Sequence, residues 1–170
     1  VLMSIMDALM SFPRLVLALA ILAALGSNMF NVVIALSIVY TPRTARVVRS
    51  TVLSIKDEFY VEAARGIGAS TFRVLFFHVL PASMPSLIVQ QTFVFAYAIL
   101  GEAGLSFVGI GVQPPAPSLG NILGDARALI QTAPWLVFAP GVAIIIAVFS
   151  LNLVGDGMRE VLDPKRQNIQ

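Results

Sequence analysis

From Leu136 to Val154 the chain runs through leucine, valine, isoleucine, phenylalanine and alanine without one charged residue. That is close to the ~20 apolar residues an α-helix needs to cross hydrocarbon. In lipid every backbone N–H and C=O must find its partner within the protein, so only helices and closed barrels span. This run lacks the alternation of apolar and polar residues that a barrel strand carries. It therefore reads as a membrane helix, with Pro134-Trp135 leading it and Trp135 as an interface anchor. The rest of the chain has to fit around a helix placed in lipid.

Composition agrees. The 170 residues are 58% hydrophobic and 12% charged, with a mean hydropathy of +0.88, whereas a soluble domain carries about 25% charge to wet its surface. The net charge of +2 and pI near 9.4 do not make a nucleic-acid binder, because the basic residues are dispersed and no aromatic platform is interleaved with them. Without cysteine there is no disulfide framework, thiolate metal site or cysteine nucleophile. The chain opens on Val1 and enters Leu2-Met3-Ser4-Ile5-Met6-Asp7 with no basic region before a short apolar core and cleavage site. That is not a signal peptide, and the expectation is a fragment whose earlier part is missing.

Taken in order, Met3 to Phe12 reads as a short helix at the membrane surface. Pro13 opens an apolar run in which Leu15 to Leu25 has no polar side chain, and Arg14 can snorkel to the head groups. Gly26-Ser27-Asn28 has turn composition, and a second apolar run from Phe30 reaches Tyr40 before Thr41-Pro42; so short a turn makes the two helices antiparallel neighbours. Arg43, Arg46 and Arg49 then recur at three-residue spacing, along one side of a helix. Between Ser50 and Pro81 the pattern is two short amphipathic helices: Ser54 and Asp57 suggest a capping box, Gly66 and Gly68 a stop, Ser70 a second cap, and Pro81 an end. A third span follows from Pro85 to Leu100. Glu102 to Pro117 is a Gly- and Pro-rich loop, followed by one short helix from Leu119 to Ile130 before the last span. The fold expected is an all-α polytopic membrane helical bundle with about four spans, 12–27, 30–49, 84–101 and 135–155. Loop 54–81 and loop 102–134 lie on opposite sides.

Charge gives the sides. Arg43, Arg46, Arg49, Lys56, Arg65 and Arg73 lie between the second span and His78, and Arg159, Lys165 and Arg166 lie in the tail. The opposite side carries Arg127 alone. By the positive-inside rule, loop 54–81 and the C-terminus are cytoplasmic, and loop 102–134 is periplasmic. No phosphate loop, dinucleotide fingerprint or His-Glu-x-x-His occurs, so the chain is not expected to hydrolyse a nucleotide, and energy must come from a partner or a gradient.

Glu62-Ala63-Ala64, with Gly68 six positions after the glutamate and Leu80-Pro81 twelve beyond that, resembles the EAA signature of the membrane-spanning permease subunits of binding-protein-dependent ABC importers. Tyr60-Val61, His78, Glu102-Ala103-Gly104-Leu105-Ser106-Phe107, Pro134-Trp135, Pro140-Gly141 and Gly155-Asp156-Gly157-Met158-Arg159 resemble the dipeptide, oligopeptide and nickel branch. His78 stands where the general signature has isoleucine, in keeping with that branch. The likeness covers essentially the whole chain, and family members normally carry one or more further spans ahead of the point where it begins.

The resemblance implies an inner-membrane subunit of a bacterial importer moving peptides or a similar small solute. It implies that Tyr60, Glu62, Ala63, Ala64, Arg65, Gly66, Gly68, Leu80 and Pro81 form the element that docks on a cytoplasmic ATPase. The implied partners are a homologous second permease chain, two ATP-binding subunits carrying ATP and Mg, and a periplasmic solute-binding protein. No cofactor or metal is expected on this chain, since His78 has no second ligand at metal spacing. The residues themselves fit a lever: alanines permit close approach, Glu62 offers a charged acceptor, and Gly68 permits a sharp turn. Gln90, Gln91, Thr92 and Asn152 serve either interhelical hydrogen bonds or the lining of a pathway, and Glu102, at a span end, is a further pathway candidate. Asp156 and Arg159, one helical turn apart, suggest a local ion pair. The rival readings are a gradient-driven carrier or channel, which would need paired ionisable groups within its spans, and a non-transporting membrane anchor.

Overall fold

The computed structural model of the protein describes residues 1–162; Lys165 and Arg166, counted above toward the basic side, lie outside the described residues. Among those described, the helices are α1 (Leu2–Met10), α2 (Arg14–Leu25), α3 (Met29–Ile55), α4 (Phe59–Gly66), α5 (Thr71–Val74), α6 (Leu80–Phe107), α7 (Leu119–Ala126) and α8 (Trp135–Leu162). A π-helical stretch, Leu75–Val79, joins α5 to α6, and a 3-10 turn, Arg127–Leu129, follows α7. No strand occurs among the described residues, in keeping with the all-α expectation.

Two helices are long and apolar enough to cross a membrane. They are the continuous Thr71–Phe107 and Trp135–Leu162; counting α1 and α2 as one broken span, bent by 102°, gives three. By itself α2, of 12 residues, is about 18 Å long, short of the ~30 Å of hydrocarbon. The helix α3 is long enough at 27 residues, but Arg43, Arg46 and Arg49 occupy its second half. Along α8 the residues Phe138, Val142, Ile145, Phe149 and Leu153 are all exposed. Their spacing makes one apolar stripe down the helix, the surface a lipid-facing helix presents.

The α2–α3 turn is built by asparagine. Asn28 Oδ1 accepts from the Asn31 backbone N–H at 2.8 Å, capping α3, and Asn31 Nδ2 donates to the carbonyls of Leu25 and Gly26 at 2.7 and 2.9 Å. The free carbonyls at the end of α2 and the free N–H groups at the start of α3 are thus partly satisfied without a charge. Beyond the turn α3 runs through Pro42, whose missing N–H costs one helical bond.

Pro81 does not end a helix, contrary to its sequence position. It sits at the start of α6 inside a helix continuous from Thr71 to Phe107. A proline ring clashes with the carbonyl four residues back; the π turn just before it, in which the Leu80 N–H bonds the Leu75 carbonyl, widens the backbone at that point. Likewise Ser54 caps nothing, because it lies within α3, and α4 starts after Glu58 with no side-chain cap.

Packing centres on α6, which lies against α3, α7 and α8, while α3 also carries α1 and α2. The main core joins Ala18 and Leu22 of α2, Val32, Ala35, Leu36, Val39 and Tyr40 of α3, and Leu105 and Val112. Helices come close where residues are small, as is usual in membranes. A methyl group on Gly101 would lie 3.0 Å from Tyr40 Oη, and one on Gly155 would overlap Thr92. Tyr40 Oη donates to the Tyr97 carbonyl at 2.8 Å, tying α3 to α6.

Candidate functional site

The helix α4 is held by two residues and presents the rest. Val61 is fully buried and Ala64 nearly so, packed with Val74 and Val79 in a satellite core to which Val52, Ile55 and Ala69 contribute. Val61 and Ala64 are three apart, so they share one face, and Tyr60, Glu62, Ala63, Arg65 and Gly66 are exposed. Of the expected coupling residues, Ala64 alone is committed to packing.

The helix ends in a Schellman motif. The Ala69 N–H bonds the Ala64 carbonyl at 3.1 Å and the Gly68 N–H the Arg65 carbonyl at 2.9 Å, with Gly68 in the left-handed region at φ +84°. That is the backbone a C′ glycine supplies. Of the two glycines read as the stop, Gly68 performs it, and Gly66 is an ordinary helical residue. Ser70 caps the next helix as its position suggests, accepting from the Arg73 N–H at 3.3 Å.

Tyr60 and His78 face each other, ring centroids 6.3 Å apart and tilted by 54°, so His78 brings the π turn against α4. Leu80 and Pro81 are exposed at the base of α6, next in sequence to Val79 in the satellite core. Through Val61, Val74 and Val79, α4 is packed against the foot of the 37-residue helix Thr71–Phe107.

The intramembrane candidates separate. Gln90 is 9% exposed, and its Nε2 has no hydrogen-bond partner among the described residues. Gln91 lines a larger, mostly apolar cavity of about 920 Å³ against α1 and α3. Thr92 Oγ1 donates back to the Val89 carbonyl at 2.7 Å, and Asn152 is half-buried on α8. Glu102 accepts from Ser106 Oγ at 2.6 Å, and that oxygen in turn accepts from the Val112 N–H at 3.1 Å. Asn121 Nδ2 donates to the Val112 carbonyl at 2.7 Å. Glu102 thus anchors the turn that folds residues 108–118 back onto α6, and also borders a cavity of about 390 Å³. Asp156 and Arg159 form no ion pair with each other.

Two arginines take places that sequence reasoning missed. The guanidinium of Arg43 lies 5.0 Å and that of Arg14 6.0 Å from the centre of the Tyr97 ring, bringing α2, α3 and α6 to one cationic point. Arg46 instead pairs with Asp7 at 2.7 Å, and both side chains are more than half exposed, so the pair contributes at most about 1 kcal/mol. Arg14 and Tyr97 are far apart in sequence, and no local pattern signals their meeting.

An all-helical chain with long apolar helices, lipid-type exposure and small-residue crossings is a helical membrane protein. The family model described as binding-protein-dependent transport system inner membrane component matches residues 1–168, and the chain belongs to that family. A protein of Brucella suis biovar 1 is 50% identical over 164 residues, covering 96% of this chain and 55% of that protein. The di/tripeptide transport system permease protein DppC of Pseudomonas aeruginosa is 46% identical over 166 residues, 98% of this chain and 55% of its own length. The glutathione transport system permease protein GsiD of Salmonella paratyphi A is 44% identical over 163 residues, 96% and 54% respectively. The chain spans about half the length of these relatives.

Proposed function

We propose that this chain is the non-catalytic transport part of an ATP-driven peptide importer, with α4 as the element on which ATPase subunits act. The observation that carries this is the exposure of Tyr60, Glu62, Ala63, Arg65 and Gly66 on a short helix stapled by Val61 and Ala64 to the foot of the longest helix. A helix with one face committed and a small-sided, charged face free suits docking in a partner's groove. Relatives named for dipeptide, tripeptide and glutathione transport support a peptide-like cargo.

In this reading the arginine-rich end, with α4 and the C-terminus, is cytoplasmic, and residues 102–134 face the periplasm of a bacterial inner membrane. Four spans cross, 12–27, 30–49, 84–101 and 135–155, with α2 in the first and α3 in the second. A homologous second permease chain completes the pathway, two ATP-binding subunits supply ATP and Mg, and a solute-binding protein delivers cargo. Closure of the ATPase dimer biases the bundle between inward- and outward-open states.

The test replaces Glu62 by Ala and Ala63 by Trp in the complete reconstituted transporter. Both side chains are exposed, so the fold of α4 is retained. Stimulation of ATP hydrolysis by loaded binding protein should fall about tenfold or more, the loss of one charge-assisted contact at 1.5 to 3 kcal/mol. Wild-type stimulation in both variants would sink the assignment.

A further inference from the structure

Between α3, α6 and α8 lies a cavity of about 430 Å³ that the coupling reading does not use. Its polar lining is Gln90, Ser86 and Arg159, and its apolar wall includes Pro85, Val89 and Phe93. Gln90 is nine-tenths buried and its Nε2 is unpartnered among the described residues, which is rare, because buried polar groups are almost always hydrogen-bonded. Arg159 has no carboxylate partner among the described residues.

The three polar groups offer donors: a guanidinium fork, an amide N–H with nothing to bond, and a hydroxyl. The chemistry complementary to them is a singly charged oxygen anion, gripped in bidentate fashion by Arg159 and reached on its inner side by Gln90. Its apolar body would lie on Pro85, Val89 and Phe93. The volume falls within the roughly 300–1,000 Å³ of small-molecule sites. We propose that this cavity binds a monoanionic oxygen group, a carboxylate or a phosphodiester, borne on an apolar body. The inference does not depend on what the transporter carries.

Two sources supply that chemistry, a free peptide-like carboxylate and an anionic lipid head group, and two probes separate them. The complete transporter, without its binding protein, is placed in phosphatidylcholine nanodiscs. Equilibrium binding of alanyl-phenylalanine is compared with that of its C-terminal amide. In parallel, phosphatidylglycerol is added and its retention is read by native mass spectrometry. One probe should bind the wild type, and Gln90→Met and Arg159→Gln should each weaken it about tenfold or more, whereas Arg159→Lys, which keeps the charge but not the fork, restores only part of it. Selective binding of the free dipeptide over its amide assigns the carboxylate; retention of phosphatidylglycerol assigns the head group. Gln90→Met should also leave the ligand-free protein as stable as wild type or more so, since it removes an unpaired buried amide. Binding of neither probe, wild-type binding by either Gln90→Met or Arg159→Gln, or a lower melting temperature for ligand-free Gln90→Met would overturn the proposal.

Discussion

Gly66 and Gly68 look alike in sequence and should respond to alanine in opposite directions. Both sites are open, since a Cβ at either would meet nothing within 4 Å, so only backbone conformation separates them. At Gly68, with φ +84°, an L-residue pays about 1–2 kcal/mol for the left-handed region. At Gly66, inside α4, alanine gains about 0.5–1 kcal/mol over glycine. The two variants should therefore differ by about 2 kcal/mol in the local opening of α4, or roughly 30-fold in amide protection. Hydrogen exchange with mass spectrometry on the peptide spanning residues 59–70 of the complete transporter reads this directly. Its reporters are the Gly68 and Ala69 amides that close the helix end. Gly68→Ala should speed exchange, Gly68→Asn should speed it less, since asparagine visits this region more readily, and Gly66→Ala should slow it. A shift of the two alanine variants in the same direction would refute the assignment of Gly68 alone as the helix stop.

Ser106→Ala should free the 108–118 turn, because it leaves the buried Val112 N–H and the Glu102 carboxylate without their shared partner. About 1–3 kcal/mol of local stability should go, seen as faster exchange in that loop with the two apolar spans unchanged. Gly120→Ala should destabilise the fold more than Gly124→Ala. The first methyl would sit 2.6 Å from the backbone oxygen of Ala103 and the second 3.3 Å from that of Phe107, so overpacking of about 1–3 kcal/mol falls on the first. Melting of the detergent-solubilised transporter checks the order.

The helical membrane character was legible because lipid imposes it locally. Charge-free runs such as Leu136 to Val154 have no other folded use, and the Asn28 turn and the Ser70 cap are encoded within a few residues. The short helix around Glu62 was also legible, since Glu62-Ala63-Ala64 and Gly68 lie within one helix and its terminus. Less so were the proline and capping signals: Pro81 reads as a stop, and the π turn that accommodates it depends on Val74 and Val79 being packed against Val61. Ser54 reads as a cap, but α3 packs beyond it.

The sequence by itself determined the helical membrane character, where the asparagine turn forms and where the short helix around Glu62 lies, because those follow from period, composition and neighbours in the chain. Only the tertiary structure decided that Gly68 rather than Gly66 bears the positive φ, and that Glu102 spends its carboxylate on Ser106. It alone brought Arg14 and Arg43 to Tyr97, and set Gln90 and Arg159 on one cavity, the Gln90 Nε2 without a hydrogen-bond partner and Arg159 without a carboxylate among the described residues. The last two are contacts between helices far apart in sequence, set by how α2, α3, α6 and α8 pack, and no local rule of the chain carries them.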